Sequence, residues 1–505
     1  MAALRLNEDI LLHIMRFASR RTLCMFISTC RLFHRAGAQY LLEGTVTLDN
    51  EQQLDSFICF MKADTSHRVG FLRTLSIKIH LYMAPRSLSP STSHALVLLF
   101  LRLARDGVLC NLMLYSAEEL LSSQPLLPLA IAMLTTLKSL TLYNAGVRAR
   151  LLLKNLQSQL TYADLWLIPR DRSPAEGPGL DADPGNDPFV LLHRSHDSLR
   201  QLITTCAEKY TSHTPAIPVY THLRALTLRM THLDEPYIGH YARACPNLEE
   251  LTACDLDCEH LDGDATDVDD PLMDARESNK DDQEELGTWP SLRLFKGTYA
   301  TLFSLGILCP ISWIKLNEED GEFYPSLLLE PLNDARPTHL DLQFSEAHWL
   351  HSGEFRSVFD QRGLQRLKSL TLHVTADEEE RHRLNITAAL DAVITDIIAY
   401  LPSLTSFEFC LDCSYLREDL GEPPSLVSLA LEAVDAKAFA ERINVAASGR
   451  LTSISVQLMG PGGHADDAVH IGPRPKHFDL AYQEAYPLMS DEDERKAWSG
   501  VRRLI

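Results

Sequence analysis

The apolar positions of this chain change their period near residue 45. Before that point Ile10, Ile14 and Phe17 recur at i, i+4 and i+7; a second face follows at Leu23, Phe26, Ile27 and Cys30, and a third at Phe33, Ala36 and Tyr40. These spacings predict three short amphipathic helices, with Asn7 capping the first and Glu8 and Asp9 in its first turn, where the helix dipole favours carboxylates. A unit this small has little interior, so some of its apolar side chains stay exposed until a partner covers them.

Beyond that point one pattern recurs, Leu-x-x-Leu-x-Leu with apolar replacements. Copies start at Leu72, Leu109, Leu137, Leu223, Ile311, Leu367, Leu404, Leu426 and Leu451, and partial copies at Leu248, Leu292 and Pro337. The last two apolar positions stand two apart and therefore share one face of a short strand. Helical stretches fill the intervals: Asn385 to Tyr400 aligns Ile386, Leu390, Val393, Ile394, Ile397 and Ile398, and Val434 to Ala447 offers Phe439 and Ile443. Pro246, Pro290, Pro402 and Pro424 stand just before copies, where proline stops a preceding helix. The pattern predicts an α/β fold of repeated strand, turn and helix, with adjacent strands parallel.

Two stretches interrupt the array. Residues 171–188 are rich in proline and glycine and read as a flexible loop. Residues 255–285 hold 14 acidic and 2 basic side chains, so twelve of the 21 net negative charges lie in one insertion, which reads as a second flexible loop. A chain this acidic, with no run of five Lys or Arg, disfavours nucleic-acid binding. Eleven cysteines without a dense spacing fit a reducing compartment. The first fifteen residues lack a signal-peptide pattern, and no apolar run approaches the ~20 residues needed to span a membrane, so a cytoplasmic or nuclear location is expected. No nucleophile elbow, phosphate loop, dinucleotide fingerprint or zinc-protease motif occurs, and neither Cys254, Cys258 and His260 nor the pair Cys410 and Cys413 has convincing metal-ligand spacing. The expectation is a non-enzyme with no metal and no cofactor.

The block Leu6-Asn7-Glu8-Asp9-Ile10-Leu11, followed by Ile14, Phe17, Leu23, Ile27, Cys30, Arg31, Phe33 and Leu41-Leu42, resembles the F-box, with Asn7 where that family usually has proline. The "P-[NS]-L-x-x-L" copies downstream look like the degenerate leucine-rich repeats of fungal F-box proteins. This resemblance implies a three-helix F-box-like module over 1–45, an irregular leucine-rich-repeat solenoid with a curved parallel sheet over 46–460, and a C-terminal tail over 461–505. It further implies docking of the Skp adaptor of a cullin-RING ubiquitin ligase through Leu6, Ile10, Ile14, Phe17, Leu23 and Phe33, while the repeats capture a protein substrate. A repeat scaffold without ligase association is the alternative, and an enzyme without a recognisable motif a third.

Strand alternation locates the substrate surface. If the inner apolar pair of each copy faces the helices, Lys78, Tyr115, Tyr143, Arg229, Trp313, Lys315, Gln343, His373, Glu432 and Gln457 face the open side. Tyr, Trp and Arg dominate interface energetics, which singles out Tyr115, Tyr143, Arg229 and Trp313 as a recognition patch, with Lys315 and His373 beside them.

Overall fold

The computed structural model describes residues 8–27, 29, 31–63, 68–79, 88–168, 187–205, 217–229, 238–254, 269–317, 325–376, 383–416, 425–460 and 469–472. The chain divides into two compact units, residues 1–344 with 361–364, and residues 345–360 with 365–505. Both are α/β.

The first unit begins with three helices, α1 (Glu8–Phe17), α2 (Arg20–Ile27) and α3 (Arg31–Glu43). Among the described residues, Met15, Leu23, Ala38 and Leu42 are the buried apolar side chains of these helices. Gly44 alone separates α3 from the first strand. The strands are β1 (Thr45–Leu48), β2 (Thr74–Ile77), β3 (Asn111–Leu114), β4 (Ser139–Ala145), β5 (Tyr162–Leu167), β6 (Gln201–Thr205), β7 (Ala225–Arg229), β8 (Glu250–Cys254), β9 (Leu292–Gly297), β10 (Ile311–Asn317) and β11 (His339–Ser345). Each pairs in parallel with the next in chain order. The intervals carry α4 (Glu51–Ala63), α5 (Pro90–Asp106), α6 (Ala117–Ser122), α7 (Leu127–Ala132), α8 (Val147–Asn155), α9 (Pro188–Leu191), α10 (Ile238–Ala244), α11 (Asp269–Leu286), α12 (Tyr299–Leu305) and α13 (Leu329–Ala335).

This ladder follows from the repeat. Each copy opens with a buried turn residue such as Leu72, Leu137 or Leu223, and the strand starts two residues later. Leu75 and Ile77, Leu112 and Leu114, Leu140 and Leu142, and Leu226 and Leu228 are then buried as in-register inner rows. Each buried leucine contributes about 1.5–3 kcal/mol, so stacking identical copies multiplies one local solution. Strands β5 and β6 come from copies with substitutions, Leu160-x-x-Ala163-x-Leu165 and Leu199-x-x-Leu202-x-Thr204, whose inner residues are equally buried.

The second unit contains α14 (Glu354–Phe359), β12 (Ser369–Thr375), α15 (Ile386–Ala392) continued by a π turn over Val393–Ile397, β13 (Ser406–Asp412), α16 (Leu426–Glu432), α17 (Ala436–Ala446), β14 (Ser453–Met459) and β15 (Val469–Ile471). Strands β12, β13 and β14 are parallel in that order. Asn385 caps α15 by accepting from the Ala388 amide at 3.1 Å, and Ile386, Leu390, Val393, Ile397 and Ile398 are buried.

Several expectations are corrected. The copy at Leu426 is helix α16, so β13 pairs directly with β14 and Glu432 lies on no strand. Ser425 decides it, its hydroxyl accepting from the Ser428 amide at 3.1 Å as an N-cap. Leu426 and Leu429 are consequently exposed while Val427 and Leu431 are buried. Val469–Ile471, placed in the tail, is a strand antiparallel to β14. Pro188 opens α9, with Asp187 accepting from the Phe189 amide at 2.8 Å; residues 171–186 lie outside the described residues.

The acidic insertion is corrected too. Residues 255–268 lie outside the described residues, but 269–286 form α11. Its inward stripe is Leu272, Ala275, Arg276, Asn279 and Gln283, a helical spacing with polar members. Asn279 accepts from the Ile238 amide at the start of α10 (3.0 Å) and donates to the Ser304 carbonyl at the end of α12 (2.9 Å). Gln283 donates to the Gly306 carbonyl at 2.9 Å. Arg276 donates to the Phe303 carbonyl at 2.9 Å and pairs with Glu330 and Asp334 of α13 at 2.9 and 2.8 Å. These side chains satisfy the terminal backbone groups of their neighbours, which a helix end otherwise leaves unpaired. Gly306 closes α12 at φ +54°, where a Cβ would stand 2.9 Å from the Arg276 carbonyl oxygen.

Candidate recognition surface

On the open face of the first unit, the residue following each inner pair falls into one row. Lys78, Tyr115, Tyr143, Trp166, Thr205 and Arg229 follow the aligned Ile77, Leu114, Leu142, Leu165, Thr204 and Leu228 of β2 to β7. Neighbouring strands are ~4.8 Å apart, close enough for rings to stack. The Tyr115 and Tyr143 centroids are 4.7 Å apart in a stacked arrangement, and Tyr143 meets Trp166 edge-on at 5.2 Å. The Lys78 ammonium lies 5.0 Å from the Tyr115 ring centre, and the Arg229 guanidinium 4.3 Å from that of Trp166. The row is thus aromatic in the middle and cationic at both ends.

Asp164 lies two residues before Trp166 on β5, on the same face. Arg229 pairs with it at 2.9 Å, reaching across β6 above Ile203 and Thr205. The two side chains are 6% and 16% exposed, so solvent screens this pair far less than a surface ion pair. The Tyr143 hydroxyl donates toward the second Asp164 oxygen at 3.4 Å. Burial first, and then the Asp164 carboxylate, push the Tyr143 hydroxyl well above the usual phenol range. It therefore remains a donor at any physiological pH.

Trp313 belongs to a different cluster. It stands on β10, six strands from Tyr143 or ~29 Å along the sheet. There it takes the Lys315 ammonium 4.5 Å from its ring centre and the His339 ring at 5.9 Å. The expected single patch is two aromatic–cation clusters on one face. His373 lies on β12 of the second unit, aligned with Cys410, whose thiol is pushed up to about 11 by burial and by Asp412 and Glu408. Gln343 follows the inner residue Leu342 on β11 and Gln457 aligns with Cys410 on β14.

The residues expected to dock an adaptor separate into two kinds. Ile10, Ile14 and Phe17 are 49%, 46% and 76% exposed along one side of α1, with His13 edge-on to Phe17 at 4.9 Å. Leu23 is only 4% exposed and so contributes to the interior of the helical unit rather than to its surface. Phe33 is half-buried, 5.4 Å from the Phe26 ring. Leu6 lies outside the described residues.

Trp166 and Asp164 escaped the sequence reading because Ala163 replaces the second leucine of their copy; admitting Ala at that position finds both. Among the described residues no group of His, Cys, Asp and Glu is arranged to hold a metal ion, and no helix is long and apolar enough to cross a membrane. No protein-family model matches the chain, and no curated protein matches it.

Proposed function

We propose that this chain is a protein-recognition adaptor of an F-box type ubiquitin ligase, docking a Skp adaptor through α1 and capturing a protein substrate on the open face of its repeat sheet. The exposed apolar stripe Ile10, Ile14 and Phe17 carries the reading. Three large apolar side chains on one side of a helix, in a unit whose interior holds Met15, Leu23, Ala38 and Leu42, form a surface whose covering is favourable by about 25 cal/mol per Å². The row from Lys78 to Arg229 supports the capture half, because Tyr, Trp and Arg concentrate binding energy and the stack holds them in place before a partner arrives. The F-box-like and leucine-rich-repeat identities of the two parts belong to this proposal.

Affinity purification of the tagged full chain from cells tests it. Skp adaptor and cullin are expected to co-purify with the parent chain and with Tyr143→Ala, and to be lost with Ile14→Asp. Recovery of a stable folded chain without adaptor or cullin overturns the ligase assignment and leaves an interaction scaffold.

A further inference from the structure

The second residue of the repeat, immediately after the first leucine, is basic in five copies of the first unit: Arg73, Lys138, Arg200, Arg224 and Arg293. Parallel pairing places these residues in a single register at the amino-terminal rim of the sheet. The Cys110 amide donates to the Arg73 carbonyl at 2.8 Å and the Lys138 amide to Cys110 at 2.7 Å. The Thr161 amide donates to Lys138 at 2.8 Å and the Arg200 amide to Thr161 at 2.9 Å, and the ladder continues through Arg224 and Glu249 to Arg293. A stripe with no contiguous signature in the sequence is thereby assembled by the fold.

The stripe has two parts. Arg224 and Arg293 are neutralised by β8, Arg224 pairing with Glu249 at 3.2 Å and Arg293 with Glu250. Arg73, Lys138 and Arg200 are exposed, and among the described residues no carboxylate pairs with any of them. The positions between them, Cys110 and Thr161, are uncharged. Three cations therefore stand on alternate strands β2, β4 and β6, about 10 Å apart, on a chain of net charge −21.

We propose that this rim binds a carboxylate-rich segment of a protein partner, which rests on the reading of the chain as a protein-capturing adaptor. The spacing favours a peptide over a nucleic acid. Side chains seven residues apart on a helix are 10.5 Å apart on one face, close to the interval between the three cations. A duplex carries one charge per ~1.7 Å, so it would keep most of its charge next to an acidic body.

Fluorescence anisotropy of the full chain with a labelled twenty-residue glutamate-rich peptide tests the proposal, with a twenty-nucleotide oligothymidylate as the competing probe and adaptor capture measured on the same preparations. The parent chain is expected to bind the peptide in a salt-sensitive manner. The triple variant Arg73→Glu, Lys138→Glu, Arg200→Glu should bind it about ten- to a hundredfold more weakly, as three exposed pairs become repulsions. Arg73→Lys with Arg200→Lys keeps the charges and should keep the binding. No binding by the parent chain, equal binding by a triple variant with unchanged circular dichroism, or tighter binding of the oligonucleotide overturns the acidic-peptide assignment. Adaptor capture that persists in any of those outcomes leaves the ligase reading standing, whereas peptide binding without adaptor capture overturns the ligase reading alone.

Discussion

The stripe on α1 and the aromatic row on the sheet are both rich in large side chains, yet they are finished to different degrees. In the row every ring has a neighbour within the chain: Tyr115 against Tyr143, Tyr143 against Trp166, Trp166 under Arg229, with Asp164 beneath. On α1, Ile10 and Ile14 are half exposed and Phe17 touches only the edge of His13 among the rings described. The difference teaches where energy is held. The row has already made its contacts and contributes to folding, while the stripe leaves its apolar area uncovered, which under the proposed function is available for association. Mutations in the first should be read in stability and capture together, and mutations in the second chiefly in association.

The largest break in that comparison is Asp164→Ala. It leaves the Arg229 guanidinium nearly buried without its carboxylate and removes the acceptor of the Tyr143 hydroxyl, at a cost of about 3 kcal/mol in chemical denaturation. A loss below ~0.5 kcal/mol would show that the row is not a folding element. Tyr143→Ala comes next, at about 2 kcal/mol, because it removes the ring between Tyr115 and Trp166. Ile14→Asp should cost less than either, about 1 kcal/mol, since only about half of the side chain is covered. A large destabilisation there would mean that α1 is packed rather than presented.

The smallest effect is chemical. Exposed Cys24 on α2 should alkylate readily at pH 8, whereas Cys410 on the sheet face, with its thiol raised to about 11, is thiolate in only about one molecule in a thousand at that pH. Its reaction should accelerate as pH rises toward 11. Because the folded thiol is raised above its ordinary value of 9.0, its contribution to stability is present below pH 9 and is lost as pH climbs through about 11. Comparable rates for the two cysteines at pH 8, read by mass spectrometry, would show that the β12–β14 face is more open than the structure has it.

How much was legible follows from the same contrast. The inner leucine rows repeat with period two and stack on themselves, so both the parallel ladder and the open-face positions of Tyr115, Tyr143 and Arg229 could be read from residue spacing. Hydrophobic spacing failed where a side chain's partner is polar. The face of α11 that packs inward is Arg276, Asn279 and Gln283, which reads as solvent until α10, α12 and α13 supply the carbonyls, amide and carboxylates that satisfy it. The copy at Leu426 failed for a related reason, since the Ser425 cap outweighs the leucine pattern. Trp313 was placed on the correct face but in the wrong company, because distance along the sheet is set by the number of intervening strands and not by similarity of side chains.

Isothermal titration of the purified full chain with a purified Skp adaptor bears most directly on the division between the two regions. Binding with a negative heat-capacity change, the mark of apolar burial, is expected for the parent chain and for Tyr143→Ala, and no detectable heat for Ile14→Asp. Absence of binding by the parent chain, or undiminished binding by Ile14→Asp, contradicts the assignment of the α1 stripe as a docking surface.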